Sequence, residues 1–389
     1  MFRYYLGICI AFLILLSGCT TPPPEMVFPS PPAPVPGGAP APTPTRAPAS
    51  AVTPIAFDPT SSPILNSDIY PVWYATNRKP ISINSESRGY TSDRSSELKY
   101  GKVYVRMPND YLEQLRSQNW IKKILFRSPE SKLEVVGRAP ITQGSFFSDL
   151  RDEIAKNSKD ERYVLVYIHG YNTTFDEAAQ RAASIGYQLK APTTAFFSWP
   201  SQGRPAAYVA DKNAADISAG KLASFLVNLQ AQSGTEKIHI IAHSMGNDVL
   251  LQAIEHPILK TAFRKGLKFG QIILAAPDVD ADRFAEHATA YPSVADRVTL
   301  YASNDDSALS LSKGIAKFPR AGLLPPIMRV TGIDSLDVSS VNLSFLGHAF
   351  VASELAVLED MHKLITQNAP PGKRTRITPV DGGLSWVLR

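Results

Sequence analysis

The 389-residue chain carries 40 Lys and Arg against 35 Asp and Glu, which gives a formal charge of +5. The basic residues are scattered among nearly as many acidic ones, so a nucleic-acid-binding surface is not expected. The hydrophobic share of 44% is enough to bury a sizeable core, which excludes a fully disordered, collagen-like or coiled-coil chain.

Residues 1–19 are typical of an export signal, with a positive charge at Arg3 and an apolar stretch too short for an ordinary membrane-spanning helix. The sequence LSGC at 16–19 resembles the bacterial lipobox, which implies cleavage and a lipid on Cys19 that anchors the protein to a membrane. Because Thr20 follows instead of an acidic residue, we expect the outer membrane, facing the periplasm, in a Gram-negative host. The alternative is a signal anchor that stays uncleaved.

Residues 20–64 are dominated by Pro, Ala, Thr and Ser and contain almost no large apolar side chains. Such a segment cannot bury enough surface to offset the entropy of ordering it, which predicts an extended, disordered tether. A folded domain is expected over residues 65–368 and a C-terminal tail over 369–389, in which the basic run around Arg374 would be solvated.

From residue 162 onward, apolar runs alternate with helix-compatible segments, which predicts a mostly parallel sheet with helices on both faces. Two earlier strands are expected to be antiparallel at one edge, at 72–76 and 102–106, whereas residues 112–140 show no clean period. The later strands are predicted at 163–168, 194–198, 238–242, 272–276, 298–301 and 327–330. Helices are predicted near 176–190, 212–232, 246–256, 281–288, 307–316 and 349–367. The connections leave little room for a cap domain, so a short lid or none is expected.

The apolar strand at 238–242 leads directly into AHSMG at 242–246 and then into a helix-compatible segment. This pattern is typical of a nucleophile elbow, with Ala242 where Gly is commoner. The tight turn needs small residues two positions before and after the Ser, because a larger side chain would collide with the neighbouring strand or helix. The pattern predicts Ser244 as a catalytic nucleophile. The alternative is a Ser that caps a helix in an inactive relative.

A Ser hydroxyl needs a base to remove its proton and a carboxylate to orient that base. Where a catalytic Ser stands on such an elbow, the chain order is Ser, acid, His. His348 lies between the last predicted strand and the last predicted helix. Two acids compete, each at the carboxyl end of a strand. Asp306 follows the strand at 298–301 and is favoured, Asp278 follows the strand at 272–276, and the neighbour Asp305 is a lesser candidate.

Two backbone N–H groups are expected to stabilise the oxyanion that forms during acyl transfer. One belongs to Met245, just after the nucleophile. The other is assigned to Tyr171, in the segment HGYN at 169–172, which resembles the oxyanion loop of esterases and lipases. His169 is expected to hold this loop by a hydrogen bond and to transfer no proton. Trp199 is either a wall of an acyl pocket or a core residue.

Seven short segments together resemble a bacterial family of largely uncharacterised α/β-fold hydrolases. They are VWYATNR at 72–78, YIHGYNT at 167–173, FSWP at 197–200, AHSMGN at 242–247, AAPDVD at 275–280, DSAL at 306–309 and GH at 347–348. The resemblance covers nearly all of the domain and implies the α/β-hydrolase fold, with Ser244, Asp306 and His348 as the catalytic triad by position. It implies no substrate.

These residues predict a serine hydrolase that forms an acyl-enzyme at Ser244, most simply a carboxylic-ester hydrolase acting on a small-molecule or lipid acyl substrate. Triad geometry is shared across acyl transfer, so a thioester or an amide stays open. Nucleotide-binding and zinc motifs are absent, so no cofactor and no metal are expected. The alternative from another class is a non-catalytic cell-envelope protein that keeps the fold and binds a partner. The oligomeric state is left open.

Overall fold

The computed structural model describes residues 69–81, 88–107, 133–304, 318–339 and 354–389. The predicted export signal, Cys19, the tether, the helix near 307–316 and the site residues Asp305, Asp306 and His348 lie outside the described residues.

The described residues form one sheet of eleven strands. In chain order the strands are β1 Ile69–Pro80, β2 Tyr90–Arg106, β3 Glu134–Ile141, β4 Tyr163–Ile168, β5 Thr194–Ser198, β6 Lys237–His243, β7 Phe269–Ala275, β8 Ala295–Ala302, β9 Ile333–Asp337, β10 Ile377–Val380 and β11 Ser385–Leu388. Across the sheet the order is β10-β11-β9-β8-β7-β6-β4-β5-β1-β2-β3. The pairs within β4 to β9 are parallel, and antiparallel pairs lie towards the two edges. The predicted mostly parallel sheet is confirmed.

Helices cover both faces of this sheet. They are α1 Gln143–Ala155, α2 Phe175–Gln188, α3 Tyr208–Gln232, α4 Gly246–Glu255, α5 Pro257–Arg264, α6 Ala281–His287, α7 Tyr291–Val294 and α8 Glu354–Gln367. The buried side chains of α1, α3 and α4 pack on one face, and those of α2 and α8 pack on the other. No helix in the described ranges is long and apolar enough to cross a bilayer.

A hydrophobic core lies on each face of the sheet. Because successive side chains of a strand point to opposite faces, β1 contributes residues to both cores. Trp73 and Ala75 belong to the core that contains α1, whereas Val72 and Tyr74 belong to the core that contains α2. The central strands are buried on both faces, so they appear in the sequence as continuous apolar runs.

Two expectations about the later strands are wrong. The segment 327–330 is not a strand, and β9 lies just beyond it at Ile333–Asp337, where it pairs in parallel with β8. The predicted C-terminal tail is also wrong, because residues 377–388 contribute β10 and β11 to the sheet. Short apolar runs do not by themselves determine which segment pairs with an existing edge, because that choice depends on the tertiary contacts available there.

Arg374, expected to be solvated, is a buried part of this C-terminal region. It is 4% exposed, and its Nη1 donates to Asp360 Oδ2 at 2.9 Å. Asp360 also accepts a hydrogen bond of 2.5 Å from the Tyr301 hydroxyl. Burying the charge requires such partners, and composition alone does not reveal them.

The strand order creates a crevice in the centre of the sheet. Strands β4 and β6 are neighbours, yet the chain continues from β4 to β5 on one side and from β6 to β7 on the other. Ligands of open α/β sheets bind at the carboxyl ends of such diverging strands. Ile168, the last residue of β4, pairs with Ala242 near the end of β6, so the segments that follow these two strands meet at this edge.

Candidate active site

Ser244 lies in the sharp turn between β6 and α4, with a φ angle of +50°. A left-handed conformation costs a non-glycine residue about 1–2 kcal/mol, so it persists only where neighbouring contacts hold it. The Ser244 N–H donates to the carbonyl of Ala275 at 3.0 Å, and the Ser244 carbonyl accepts from the N–H of Asp278 at 3.2 Å. The predicted elbow is therefore present, and hydrogen bonds to the end of β7 hold it.

Two glycines allow the elbow to approach the end of β4. A Cβ on Gly246 would lie 2.5 Å from the carbonyl oxygen of His169 and 2.6 Å from that of Ile168. A Cβ on Gly170 would lie 2.9 Å from the Cβ of Ser244. These separations are too short for real carbon contacts, so the close packing of the two segments requires glycine at both positions.

Asn247 holds the elbow from inside the protein. Its side chain is fully buried, and its Nδ2 lies 3.0 Å from the carbonyl of Ala242, 3.1 Å from that of Ser244 and 3.2 Å from that of Ala275. One amide thus joins both sides of the nucleophile turn and the adjacent strand. The sequence reasoning missed this role, although the position of Asn247 at the end of the AHSMGN segment is a usable signal.

The loop after β4 is organised by His169. The His169 Nδ1 donates to the carbonyl of Gly170 at 2.7 Å, and the Trp199 indole N–H donates to the His169 carbonyl at 2.8 Å. The two rings stack with their centroids 4.9 Å apart. Burial, followed by the nearby charge of Arg78, lowers the pKa of His169 well below its ordinary value, so the ring is neutral at physiological pH. The expectation that His169 holds the loop agrees with this geometry.

The side chain of Trp199 is fully buried, so Trp199 is a core residue and not an exposed wall of an acyl pocket.

The ring of Tyr171 is only partly buried and lies edge-to-face with Tyr208, with the centroids 5.4 Å apart. Tyr171 and Tyr208 therefore form an aromatic pair beside the loop that follows β4.

Neither expected oxyanion donor is engaged elsewhere in the described part of the chain. The N–H groups of Tyr171 and Met245 donate no hydrogen bond to another described residue. Polar groups around them are, by contrast, paired: the N–H of Asn172 donates to Asp211 at 3.1 Å, and the N–H of Thr173 donates to Ser201 at 3.0 Å. The assignment of the two N–H groups to an oxyanion hole stays a prediction.

Asp278 lies next to the elbow, and its carboxylate is 2% exposed. The Tyr208 hydroxyl lies 3.2 Å from Oδ1 and 3.1 Å from Oδ2, and Arg320 Nε lies 3.3 Å from Oδ1. The structure thus places one of the candidate acids in a buried contact with a phenol and a guanidinium. Asp305, Asp306 and His348 lie outside the described residues, so the choice of acid and base stays a prediction.

Two buried ionic residues near the loop were missed by the sequence reasoning. Arg78, near the end of β1, is 1% exposed, and Asp211, in the first turn of α3, is fully buried. Burial lowers the pKa of Arg78 to about 9, which leaves the guanidinium charged at neutral pH. Arg78 ends the VWYATNR segment, which is a usable signal, whereas nothing in the sequence distinguishes Asp211 from a surface residue of a helix.

Among the described residues, no group of three or more His, Cys, Asp or Glu side chains is placed to hold a metal ion.

A mostly parallel sheet covered on both faces, with a strained Ser between the central strand and its helix, defines an α/β hydrolase. Residues 142–368, more than half of the chain, match the family described as alpha/beta hydrolase of unknown function (DUF900). The chain belongs to that family.

Among solved structures, the chain is similar to a lipase-esterase related protein from Clostridium acetobutylicum, with 13% identity over 53% of this chain and 95% of that one and a TM-score of 0.28. It is also similar to the peroxisomal alpha-beta-hydrolase Lpx1 from Saccharomyces cerevisiae, with 8% identity over 78% of this chain and 91% of that one and a TM-score of 0.29. No curated protein matches the chain significantly. At these TM-scores neither likeness bears on the chemistry of the site.

Proposed function

We propose that this α/β hydrolase is a serine hydrolase of acyl bonds, most simply a carboxylic-ester hydrolase, with Ser244 as its nucleophile. The observation that carries the proposal is the backbone of Ser244, held at a φ of +50° between the central strand and its helix. Such a turn directs the Ser hydroxyl to the crevice edge of the sheet, where Ser244 is 7% exposed. A merely structural Ser has no need of the strain.

In the proposed reaction, Ser244 Oγ attacks the acyl carbon while His348 takes the hydroxyl proton. The carbonyl oxygen gains negative charge and accepts hydrogen bonds from the N–H groups of Tyr171 and Met245. His348 then donates the proton to the departing alcohol, which leaves an acyl-enzyme on Ser244. Water, activated by His348, hydrolyses this ester and restores the free Ser.

The acid that orients His348 is proposed to be Asp306. Its rival Asp278 already has its buried carboxylate in contact with the Tyr208 hydroxyl and the Arg320 guanidinium. These contacts support a structural role for the Asp278 carboxylate beside the elbow. Asp278 and Asp305 are the alternative acids.

The protein is further proposed to be anchored by a lipid on Cys19, in the outer membrane of a Gram-negative host, with residues 20–64 as the tether. The support is the sequence LSGC at 16–19 and the Pro-rich composition that follows it. Incorporation of labelled palmitate by wild type but not by Cys19→Ser, with loss of the variant from the membrane fraction, is the expected result. An unlabelled wild type that stays in the membrane would instead support an uncleaved signal anchor.

The test of the catalytic proposal is labelling of the full-length protein, purified in detergent, with a fluorophosphonate probe. We expect labelling of wild type, none of Ser244→Ala and a strong decrease in His348→Ala. Ser224→Ala is the matched control, because Ser224 lies on α3, where its hydroxyl donates to the carbonyl of Gly220 at 3.0 Å. Hydrolysis of p-nitrophenyl butyrate should follow the same order.

A folded wild-type protein that neither reacts with the probe nor hydrolyses activated esters would contradict the proposal. The same result would support the non-catalytic envelope protein. Thioester and amide substrates, compared at equal acyl chain length, would decide between the ester and the other acyl bonds.

A further inference from the structure

The peptide group between Gly170 and Tyr171 carries the N–H assigned to the oxyanion hole, so this inference rests on the proposed function. In a trans peptide the C=O and the N–H point in opposite directions. The carbonyl of Gly170 accepts the hydrogen bond of 2.7 Å from His169 Nδ1. Whatever fixes the His169 ring therefore also fixes the direction of the Tyr171 N–H.

Arg78 fixes that ring through Ser198. The Arg78 Nε donates to Ser198 Oγ at 2.9 Å, and Ser198 Oγ lies 3.4 Å from His169 Nε2. Because Nδ1 of the neutral ring is the donor, Nε2 is its acceptor, and the Ser198 hydroxyl is the group that can donate to it. Arg78 thus favours one tautomer and one ring orientation, and both aim Nδ1 at the Gly170 carbonyl.

Arg78 also holds the far end of the same loop. Its Nη2 donates to the carbonyl of Thr173 at 2.8 Å, and its Nη1 donates to the carbonyl of Ser201 at 2.9 Å. One buried guanidinium therefore joins the loop after β4 to the loop after β5. The planar guanidinium holds its donors in fixed directions, so it can bond to both loops at once. A lysine ammonium has no such fixed geometry and does not replace it.

Asp211 holds the next peptide along the chain. Its Oδ2 accepts from the N–H of Asn172 at 3.1 Å and from the hydroxyl of Ser201 at 2.5 Å, and its Oδ1 accepts from the N–H of Gln202 at 2.7 Å. Both peptides that flank Tyr171 are thus held. Of the two N–H groups in these peptides, only that of Tyr171 has no partner among the described residues.

We propose that Arg78 and Asp211 are positioning residues that orient the Tyr171 N–H towards the oxyanion, Arg78 through Ser198 and His169 and Asp211 through Asn172. Two buried charged side chains are weak evidence of stabilisation, because apolar residues of similar volume commonly serve stability as well. What Arg78 and Asp211 supply is direction, since the bonds described here end on Ser198 at the end of β5 and on the two loops that bound the crevice.

The test compares Asp211→Asn and Arg78→Lys with wild type in the full-length protein. Asp211→Asn removes the negative charge and places an NH₂ group against either the Asn172 N–H or the Gln202 N–H, so the bond that holds the Asn172 peptide is lost or weakened. We expect kcat for p-nitrophenyl butyrate to fall about 100-fold, as for a small misplacement of a catalytic group. KM should stay within about two-fold, because ground-state binding does not use the oxyanion contact. Affinity for butylboronic acid, which becomes a tetrahedral analogue when Ser244 Oγ bonds to its boron, should fall in parallel with kcat.

The matched control is Asp360→Asn, which changes a buried carboxylate of the same kind on the other face of the sheet. Among the described residues, Asp360 accepts hydrogen bonds from Tyr301 and Arg374 and none from the loops after β4 and β5. We expect Asp360→Asn to lose stability without the parallel loss of kcat and boronate affinity. Hydrogen exchange in the peptide that covers 169–174 should accelerate in Asp211→Asn and in Arg78→Lys, and should not change in the control.

Active wild type with folded Asp211→Asn and Arg78→Lys variants of unchanged kcat would overturn the positioning roles and leave the proposed function intact. An equal decrease of kcat in Asp360→Asn would also overturn them, because it would show a general effect of stability. Failure of wild type to hydrolyse esters or react with a fluorophosphonate would instead overturn the proposed function, and the positioning roles with it.

Discussion

A Cβ on Gly170 would lie 2.9 Å from the Cβ of Ser244 and 3.1 Å from Nδ1 of His243. The Ser244 atom belongs to a rigid turn, so Gly170→Ala must push the loop after β4 away from the nucleophile. We predict at least a 10-fold slower reaction with a fluorophosphonate, since small displacements of catalytic groups cost roughly this much or more. Gly144→Ala on α1 is the control, because nothing lies within 4 Å of its Cβ, and its reaction rate should equal that of wild type. Equal rates in both variants would contradict the close approach.

The strain at Ser244 predicts that two inactive variants, Ser244→Gly and Ser244→Ala, differ in stability. Glycine adopts a φ of +50° without the steric cost that a Cβ carries, whereas alanine keeps that cost. Ser244→Gly should therefore be more stable than Ser244→Ala by about 1 kcal/mol. Urea unfolding of the two proteins measures the difference. A more stable alanine variant would show that the turn is relaxed.

The contacts of Asp278 predict that substitutions of the two candidate acids, Asp306 and Asp278, have different effects. If Asp306 orients His348, Asp306→Asn should lower kcat by about 10³–10⁴-fold with little loss of stability, as in other triads. Asp278→Asn should lower stability by about 1–3 kcal/mol, since it weakens the contacts with Tyr208 and Arg320, and should change kcat much less. Steady-state kinetics and urea unfolding of both variants test this assignment. The reverse pattern would assign the acid to Asp278.

The buried imidazole of His239 is expected to make the folded protein less stable at acidic pH. It is 4% exposed, its Nδ1 accepts from the N–H of Gln271 at 2.9 Å, and burial, followed by the charge of Lys237, lowers its pKa to about 4. The unfolded chain binds a proton near pH 6.5 and the folded chain only near pH 4, so stability falls as the pH decreases between these values. The shift corresponds to at most roughly 3 kcal/mol.

His239→Asn keeps an acceptor for the Gln271 N–H but does not titrate. Its free energy of unfolding should therefore depend less steeply on pH between about 4 and 6.5. Buried His169, whose pKa is also lowered, contributes in the same direction, so part of the slope should remain. Urea unfolding at several pH values compares wild type and variant, and identical slopes would show that His239 is not responsible.

Because Arg374 is buried beside the C-terminal strands, its substitution is expected to lower the stability of the protein strongly. Arg374→Met leaves the Asp360 carboxylate buried without its cation and should cost about 3–5 kcal/mol of unfolding free energy. Its neighbour Arg376 is exposed, so Arg376→Met is the control and should change stability by less than about 0.5 kcal/mol. Thermal unfolding of both variants is the measurement. Equal melting temperatures of the two variants would contradict a stabilising role of the Arg374–Asp360 contact.

The sequence by itself determined the features that depend on neighbours along the chain. Alternating apolar runs indicated the parallel sheet, because fully buried strands need apolar side chains on both faces. The capping box of α2, in which Thr174 and Glu177 bond reciprocally, is local in the same way, because its residues lie within one turn. The small residues around Ser244 indicated the elbow for the same reason, since the sterics of a tight turn act over a few residues.

The tertiary structure alone decided the features that depend on strand order. The bond from Arg78 to Ser198 joins residues 120 positions apart, and that from Asn172 to Asp211 joins residues 39 apart. The C-terminal residues became strands because the edge of β9 offered unpaired backbone groups, and Trp199 became a core residue because His169 lies beneath its ring. Such pairings follow from which elements meet in space, and no local pattern of side chains encodes that choice.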